Sequence, residues 1–258
     1  MKNSSIQIIG HRGAAAILPE NTMESFRLAF ETFQADMIEF DVHGSKEGIP
    51  VVIHDPTLER TTNGQGRVSD LSVSELGRLD AGFHFDPQNK SLFPQRGKGI
   101  RIPTLEEVFQ TFPEKSLAVE IKDTRPELVR RVTRMIADYG RADRTIVGSL
   151  EHPVYRQLVC EEPQARLFSS RTKVWQLLAG FYLFRRNPAR EPRLVASLPV
   201  KSRWVDLTRK EWIDWLHEKG ATVYFWTVNN VETARRLAEN GADGVMSDDP
   251  GMLQKALR

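Results

Sequence analysis

Ile6-Gln7-Ile8-Ile9-Gly10-His11-Arg12-Gly13 is the stretch on which the fold turns. Its first five residues are the short apolar run of a buried strand, too unbroken for a sheet with one wet face. The residues just after the run decide between two architectures. A doubly wound open sheet normally carries a glycine-rich phosphate turn after its first strand. Here His11-Arg12-Gly13 stands in that place. A closed (β/α)8 barrel instead puts reactive side chains at the C-terminal ends of its strands.

Outward from this stretch the same rhythm repeats. Strand-like runs recur at residues 37–43, 117–122, 145–149, 166–169, 194–198, 222–227 and 244–247. Helical patterns lie between them, at 23–33 (capped by Asn21 or Thr22), 126–139, 154–160, 209–219 and 231–240. Pro126 opens one of these, and Gly140, Gly220 and Gly241 close three. Eight strands alternating with helices over 258 residues predict an α/β fold, a (β/α)8 barrel occupying residues 1–258 as a single domain. One segment breaks the rhythm. After Asp41 the chain turns at 44–48 and returns through Val51-Val52-Ile53. Residues up to 103 are then rich in Thr, Asn, Gly, Ser and Pro, with one short helical pattern at 73–79. Residues 44–103 are therefore expected to form a hairpin and small insertion over one mouth of the barrel.

Composition narrows the function. A net charge of +2, evenly spread, does not suit a nucleic-acid binder. The single cysteine, Cys160, excludes an internal disulfide framework and fits a reducing compartment. Residues 1–5 lead into a strand with no apolar signal region, so a cytoplasmic setting is expected. No apolar run is long enough to span a bilayer. The most apolar stretch, Val174 to Phe184 and followed by Arg185, Arg186, Arg190 and Arg193, reads either as a barrel helix or loop packing on a neighbour or, through Trp175–Arg186, as a weak membrane-surface contact.

The chemistry-bearing residues cluster at strand ends. His11 and Arg12 come directly after the first strand. Glu39 and Asp41 share one face of the second, and Glu120 and Lys122 share one face of the strand at 117–122. His54-Asp55 closes the hairpin. Three carboxylates suit a hard dication such as Mg2+ or Ca2+ and suit zinc poorly. Two imidazoles can move protons, while Arg12 and Lys122 supply positive charge. That inventory implies cleavage of a phosphate ester.

The chain resembles the glycerophosphodiester phosphodiesterase family. The resemblance is carried by His11-Arg12-Gly13, Pro19-Glu20-Asn21-Thr22, Glu39-Phe40-Asp41-Val42, Lys46-Glu47-Gly48 and Val51-Val52-Ile53-His54-Asp55. It continues through Arg60-Thr61-Thr62-Asn63-Gly64, residues 102–108, Glu120-Ile121-Lys122, Trp226-Thr227-Val228-Asn229 and Gly241-Ala242-Asp243-Gly244-Val245. It is weakest from about residue 150 to 220, and Glu47 stands where Asp is commoner. The resemblance implies a TIM-type barrel hydrolysing glycerophosphodiesters to glycerol 3-phosphate and an alcohol. It places catalytic histidines at His11 and His54, metal ligands at Glu39, Asp41 and Glu120, phosphate contacts at Arg12 and Lys122, and an aromatic wall at Trp226. Two alternatives accompany it: a lysophospholipase-D-like hydrolase, and a non-catalytic phosphodiester-binding barrel. Head group and oligomeric state are not legible in the sequence.

Overall fold

The structure, a computed structural model, describes residues 6–161, 163–184, 190–201 and 205–258. The chain opens with β1 (Gln7–His11), α1 (Met23–Arg27) and β2 (Met37–Gly44), from which β3 (Pro50–Val52) turns back as an antiparallel hairpin. The insertion holds α2 (Val73–Leu76) and ends at α3 (Leu105–Thr111). Then come β4 (Ser116–Ile121), α4 (Pro126–Asp138), β5 (Thr145–Gly148), α5 (His152–Glu161), β6 (Arg166–Phe168) and α6 (Arg171–Phe184). The chain finishes with β7 (Leu194–Pro199), α7 (Lys210–Glu218), β8 (Thr222–Trp226), α8 (Val231–Glu239), β9 (Gly244–Ser247) and α9 (Pro250–Leu257).

Eight of these strands pair in parallel around a ring. β1 pairs with both β9 and β2, which closes the sheet, and β3 hangs outside on β2. The expected (β/α)8 barrel with a small insertion after its second strand is the observed fold. Closure reflects the side-chain alternation. On β2, Ile38, Phe40 and Val42 point outward into an apolar layer shared with Phe26, Val108, Val129 and Val132 of the surrounding helices. Met37, Glu39 and Asp41, in the other register, face the axis. Each barrel strand sends one residue to the floor of the interior: Ile9, Met37, Ala118, Ile146, Phe168, Val195, Tyr224 and Met246. This layer closes the interior, so the residues one step further along, among them His11, Glu39, Glu120, Ser197 and Trp226, form a cup rather than a channel.

Some elements differ from the sequence reading. The helix expected over 23–33 runs as α1 and then widens into a π-turn at Leu28–Thr32; an apolar period of about one turn does not distinguish the two. α3 and α9 are helices that the periodicity does not predict. α3 is short and starts from a capping box, Thr104 with Glu107, worth about 1 kcal/mol. The apolar stretch from Trp175 is helical, within α6, and packs Leu177 and Leu178 into the outer layer; Arg185 and Arg186 lie outside the described residues. The insertion has an apolar cluster of its own, built from Val51, Ile53, Leu58, Val68, Leu76, Ala81, Ile100 and Ile102.

Candidate active site

The register lifts the functional residues to one level. His11 is the last residue of β1 and lies beside Glu39 of β2; Asp41 of β2 lies beside Glu120 of β4. The turn after β1 needs glycine. Gly13 has φ +89°, and a Cβ there would meet Ser25 Oγ at 2.5 Å. Arg12 itself adopts φ 52°. This bend turns Arg12 back over the cup instead of away from it.

His11, Arg12, Glu39, Asp41, His54, Glu120, Lys122 and Trp226 line one cavity of about 230 Å3, together with Leu150, Phe168, Arg171, Ser197 and Met246. All eight residues singled out in the sequence are thus brought together. A larger groove of about 650 Å3 among α6, α7 and α8 shares no lining residue with it.

Glu39, Asp41 and Glu120 are buried, at 5%, 1% and 9% exposure. Each offers an oxygen within 4.8 Å of the others. Burial pushes the Glu39 carboxyl up, and the Asp41 charge adds to it, to about 7. Glu120 is also raised by burial, against the pull of Lys122. Asp41 moves the other way. Burial would raise it, but Lys122 and then Arg12 outweigh burial and hold it below the usual carboxylate range. Lys122 Nζ lies 3.1 Å from Asp41 and 2.8 Å from Glu120. Burial, and then repulsion from Asp41 that His11 and Arg12 only partly offset, is the reason Glu39 titrates so high. An all-oxygen set of this kind fits a hard dication, which would remove that penalty.

The two histidines are mounted alike. His11 Nδ1 is 2.6 Å from Asp248 Oδ1, and His54 Nδ1 is 2.6 Å from Asp55 Oδ1. Both aspartates are held below their ordinary range against the opposing effect of burial, so they are ionised and accept. Each histidine therefore carries its proton on Nδ1 and keeps Nε2 for other chemistry. His11 Nε2 lies 4.0 Å from Glu39. Burial favours a neutral His11 ring, yet the Asp248 hydrogen bond and the Glu39 charge outweigh it and raise the pKa. His43 donates from Nε2 to the carbonyl of His54 at 3.0 Å, and burial lowers its pKa, which keeps it a neutral strut.

Arg12 bonds Glu20 through Nη1 at 2.9 Å. Its Nε is buried 3.3 Å from Asp41 Oδ2 without the alignment of a hydrogen bond, leaving a donor for an incoming oxygen. Asn21 braces Asp41 reciprocally: its Nδ2 donates to Oδ2 at 3.0 Å and its Oδ1 accepts from the Asp41 backbone N–H.

Asp248, Arg171 and the bracing role of Asn21 are not found from sequence. Asp248 is the residue after Ser247, the last of β9, so the strand-end rule that locates His11 would have found it too.

The fold and this cup define a barrel enzyme working at the C-terminal mouth of its strands on an anionic substrate. The sequence matches the profile of the glycerophosphoryl diester phosphodiesterase family over residues 11–252. The chain belongs to that family. It is 30% identical to a glycerophosphodiester phosphodiesterase of Caldanaerobacter subterraneus subsp. tengcongensis, covering 97% of both chains. It is 32% identical to human lysophospholipase D GDPD1, over 96% of this chain and 85% of that one. Among solved structures, a phosphodiesterase of Oleispira antarctica in complex with its product sn-glycerol-3-phosphate superposes with TM-score 0.77 at 26% identity, over 98% of this chain and 96% of that one. The glycerophosphoryl diester phosphodiesterase domain of a Mycobacterium tuberculosis protein superposes with TM-score 0.86 at 24% identity, over 98% and 99% of the two chains, and shows the shared fold.

Proposed function

We propose that the chain hydrolyses glycerophosphodiesters to glycerol 3-phosphate and an alcohol, using a dication and two-histidine acid/base catalysis. In this reading residues 1–258 act as one domain, with residues 44–103 forming part of the mouth. The observation that carries it is the single cavity where two imidazoles, each held through Nδ1 by an aspartate, face three buried carboxylates and two cationic side chains. Glu39, Asp41 and Glu120 would hold the ion, Mg2+ or Ca2+. When bound, it polarises and neutralises the phosphoryl oxygens.

The chain's own residues do the rest. Arg12 and Lys122 hold the phosphodiester and stabilise the charge that grows on it. Trp226, with Phe168 and Met246, walls the apolar side. One of His11 and His54 takes a proton from the nucleophile through Nε2, and the other gives one to the leaving oxygen. Water and the glycerol hydroxyl next to the phosphate are both competent nucleophiles for this arrangement.

Turnover of several glycerophosphodiesters tests the reading. Glycerol 3-phosphate is expected, abolished by a chelator and restored by Mg2+ or Ca2+. His11→Ala and His54→Ala should each lower kcat by about 10²–10⁴-fold. Activity that survives loss of either ring would overturn the acid/base scheme.

A second reading, cleavage of lysophospholipids, is favoured by the human relative's named activity and by α6, where Trp175, Tyr182 and Leu183 are exposed. Those side chains would give the weak membrane-surface contact, with the mouth-lining Arg171 opening the same helix. Lysophosphatidylcholine turned over faster than glycerophosphocholine would select this reading. A cytoplasmic setting is proposed with either, to be tested by fractionation; among the described residues no helix is long and apolar enough to cross a membrane.

A further inference from the structure

We propose that Arg60 is a positioning residue for this reaction: its guanidinium fixes the ring of His54 relative to Arg12. The inference rests on the reading of His54 as a proton-transfer group.

His54 is not on a barrel strand. It lies just past the outlying β3, where Ile53 N–H to the Asp41 carbonyl and His43 Nε2 to the His54 carbonyl tie its backbone to β2 but leave the rotation of its ring to Asp55. Its orienting carboxylate, Asp55, is the next residue of the same loop. A ring oriented through Asp55 needs that carboxylate anchored, because displacement of the order of 1 Å can cost about a hundredfold in rate. Arg60 supplies that anchor. Its Nε donates to Asp55 Oδ2 at 2.5 Å, on the oxygen that His54 does not use. Its Nη1 and Nη2 donate to the two oxygens of Glu20 at 2.9 and 2.7 Å. Glu20, in the loop between β1 and α1, also takes Nη1 of Arg12 at 2.9 Å. The result is one line of alternating charge, His54–Asp55–Arg60–Glu20–Arg12, running from the insertion to the cup.

Two features separate this role from plain structural support. The Arg60 side chain is 47% exposed, and ion pairs at that exposure contribute little to stability. The insertion, moreover, is held by its own apolar cluster, which does not include Arg60. Three directed bonds from one planar group fix an angle. A lysine ammonium, a point charge on a flexible stem, cannot hold Asp55 and the two-pronged Glu20 contact in a fixed relation.

The test uses the full chain with its dication. Arg60→Ala and Arg60→Lys should each lower kcat by about 10–100-fold, with KM within about threefold and Tm within about 2–4 °C of wild type. Guanidinium ion at low millimolar concentration should restore much of the rate to Arg60→Ala and little to Arg60→Lys. A cavity of about 230 Å3 lined by Glu20, Arg60, His84 and Phe85 opens where the ion must enter. A readout independent of turnover is 15N NMR of the histidine rings. The Nδ1–H signal of His54 should shift and broaden in Arg60→Ala as its ring loses a fixed orientation, while that of His11 is unchanged. The proposal is overturned if Arg60→Ala keeps its kcat, if the defect lies in KM, if guanidinium fails to rescue a folded variant, or if the His54 ring is unchanged. Should Arg60→Ala not fold, Arg60→Lys decides by the same kcat and NMR criteria. If wild type releases no glycerol 3-phosphate yet the His54 ring still depends on Arg60, the functional reading fails and the positioning role stands.

Discussion

Glu39 shows how one residue can serve a site at the expense of the fold. Its carboxyl, raised by burial and then by Asp41 to about 7, binds a proton in the folded chain that it has released in the unfolded one across the range between about 4.5 and 7. The stabilising contribution is therefore fully present below the unfolded value and is lost as pH rises through 7. In metal-free protein at pH 8, Glu39→Gln removes the buried charge and should raise Tm by about 2–4 °C for each kcal/mol relieved. At pH 5 the same substitution should change Tm little, and at either pH it should abolish dication binding measured by calorimetry. A variant that is less stable at pH 8 than wild type would contradict this charge balance. The parity of Glu39 with Asp41 was legible in the sequence, since a two-residue step on a strand keeps one face. The opposite directions of their titration were not, because those depend on which carboxylate Lys122 and Arg12 reach.

Elements meet at longer range. α7 ends next to the loop that enters β9, where His217 Nε2 lies 2.9 Å from Asp243 Oδ2. The hydrogen bond to Asp243 raises the His217 pKa, outweighing its partial burial. A cation near a helix C-terminus is favourable as well. Its contribution is fully present below about 6.5 and fades as pH climbs through the raised folded value. Asp243→Asn should therefore cost more stability at pH 6 than at pH 9, by about 0.5 kcal/mol given the exposure of both groups. Urea midpoints at the two pH values check this, and equal losses at both would show that the pair carries no charge coupling. The helix expected over 209–219 puts position 217 in its last turn, but the sequence could not name Asp243, which is 26 residues away and meets it only because β8 and β9 are neighbours. α3 and α9 were illegible for a related reason: short helices show little periodicity, and packing rather than propensity holds them.

For the whole molecule, the closed sheet makes binding and folding one equilibrium. The three carboxylates come from two strands separated by the insertion, and no unfolded chain keeps them together. Mg2+ or Ca2+ at about 100 times its Kd should then stabilise the fold by about 2.7 kcal/mol, seen as a rise in Tm that Glu120→Gln abolishes. No rise with either ion would remove the dication from the proposal. By itself the chain's sequence determined the alternation of strand and helix, the barrel and the identities of the cup residues, because those depend on local periodicity and on residue type at strand ends. Only the tertiary structure decided which groups brace them: Asp248 on His11, Asn21 on Asp41, and Arg60 between Asp55 and Glu20. Local patterning is written in neighbouring residues. Hydrogen-bond partners from distant loops are set by which strands become neighbours: β9 returning beside β1 brings Asp248 to His11, and β1 beside β2 brings Asn21 and Glu20 to Asp41 and Arg60.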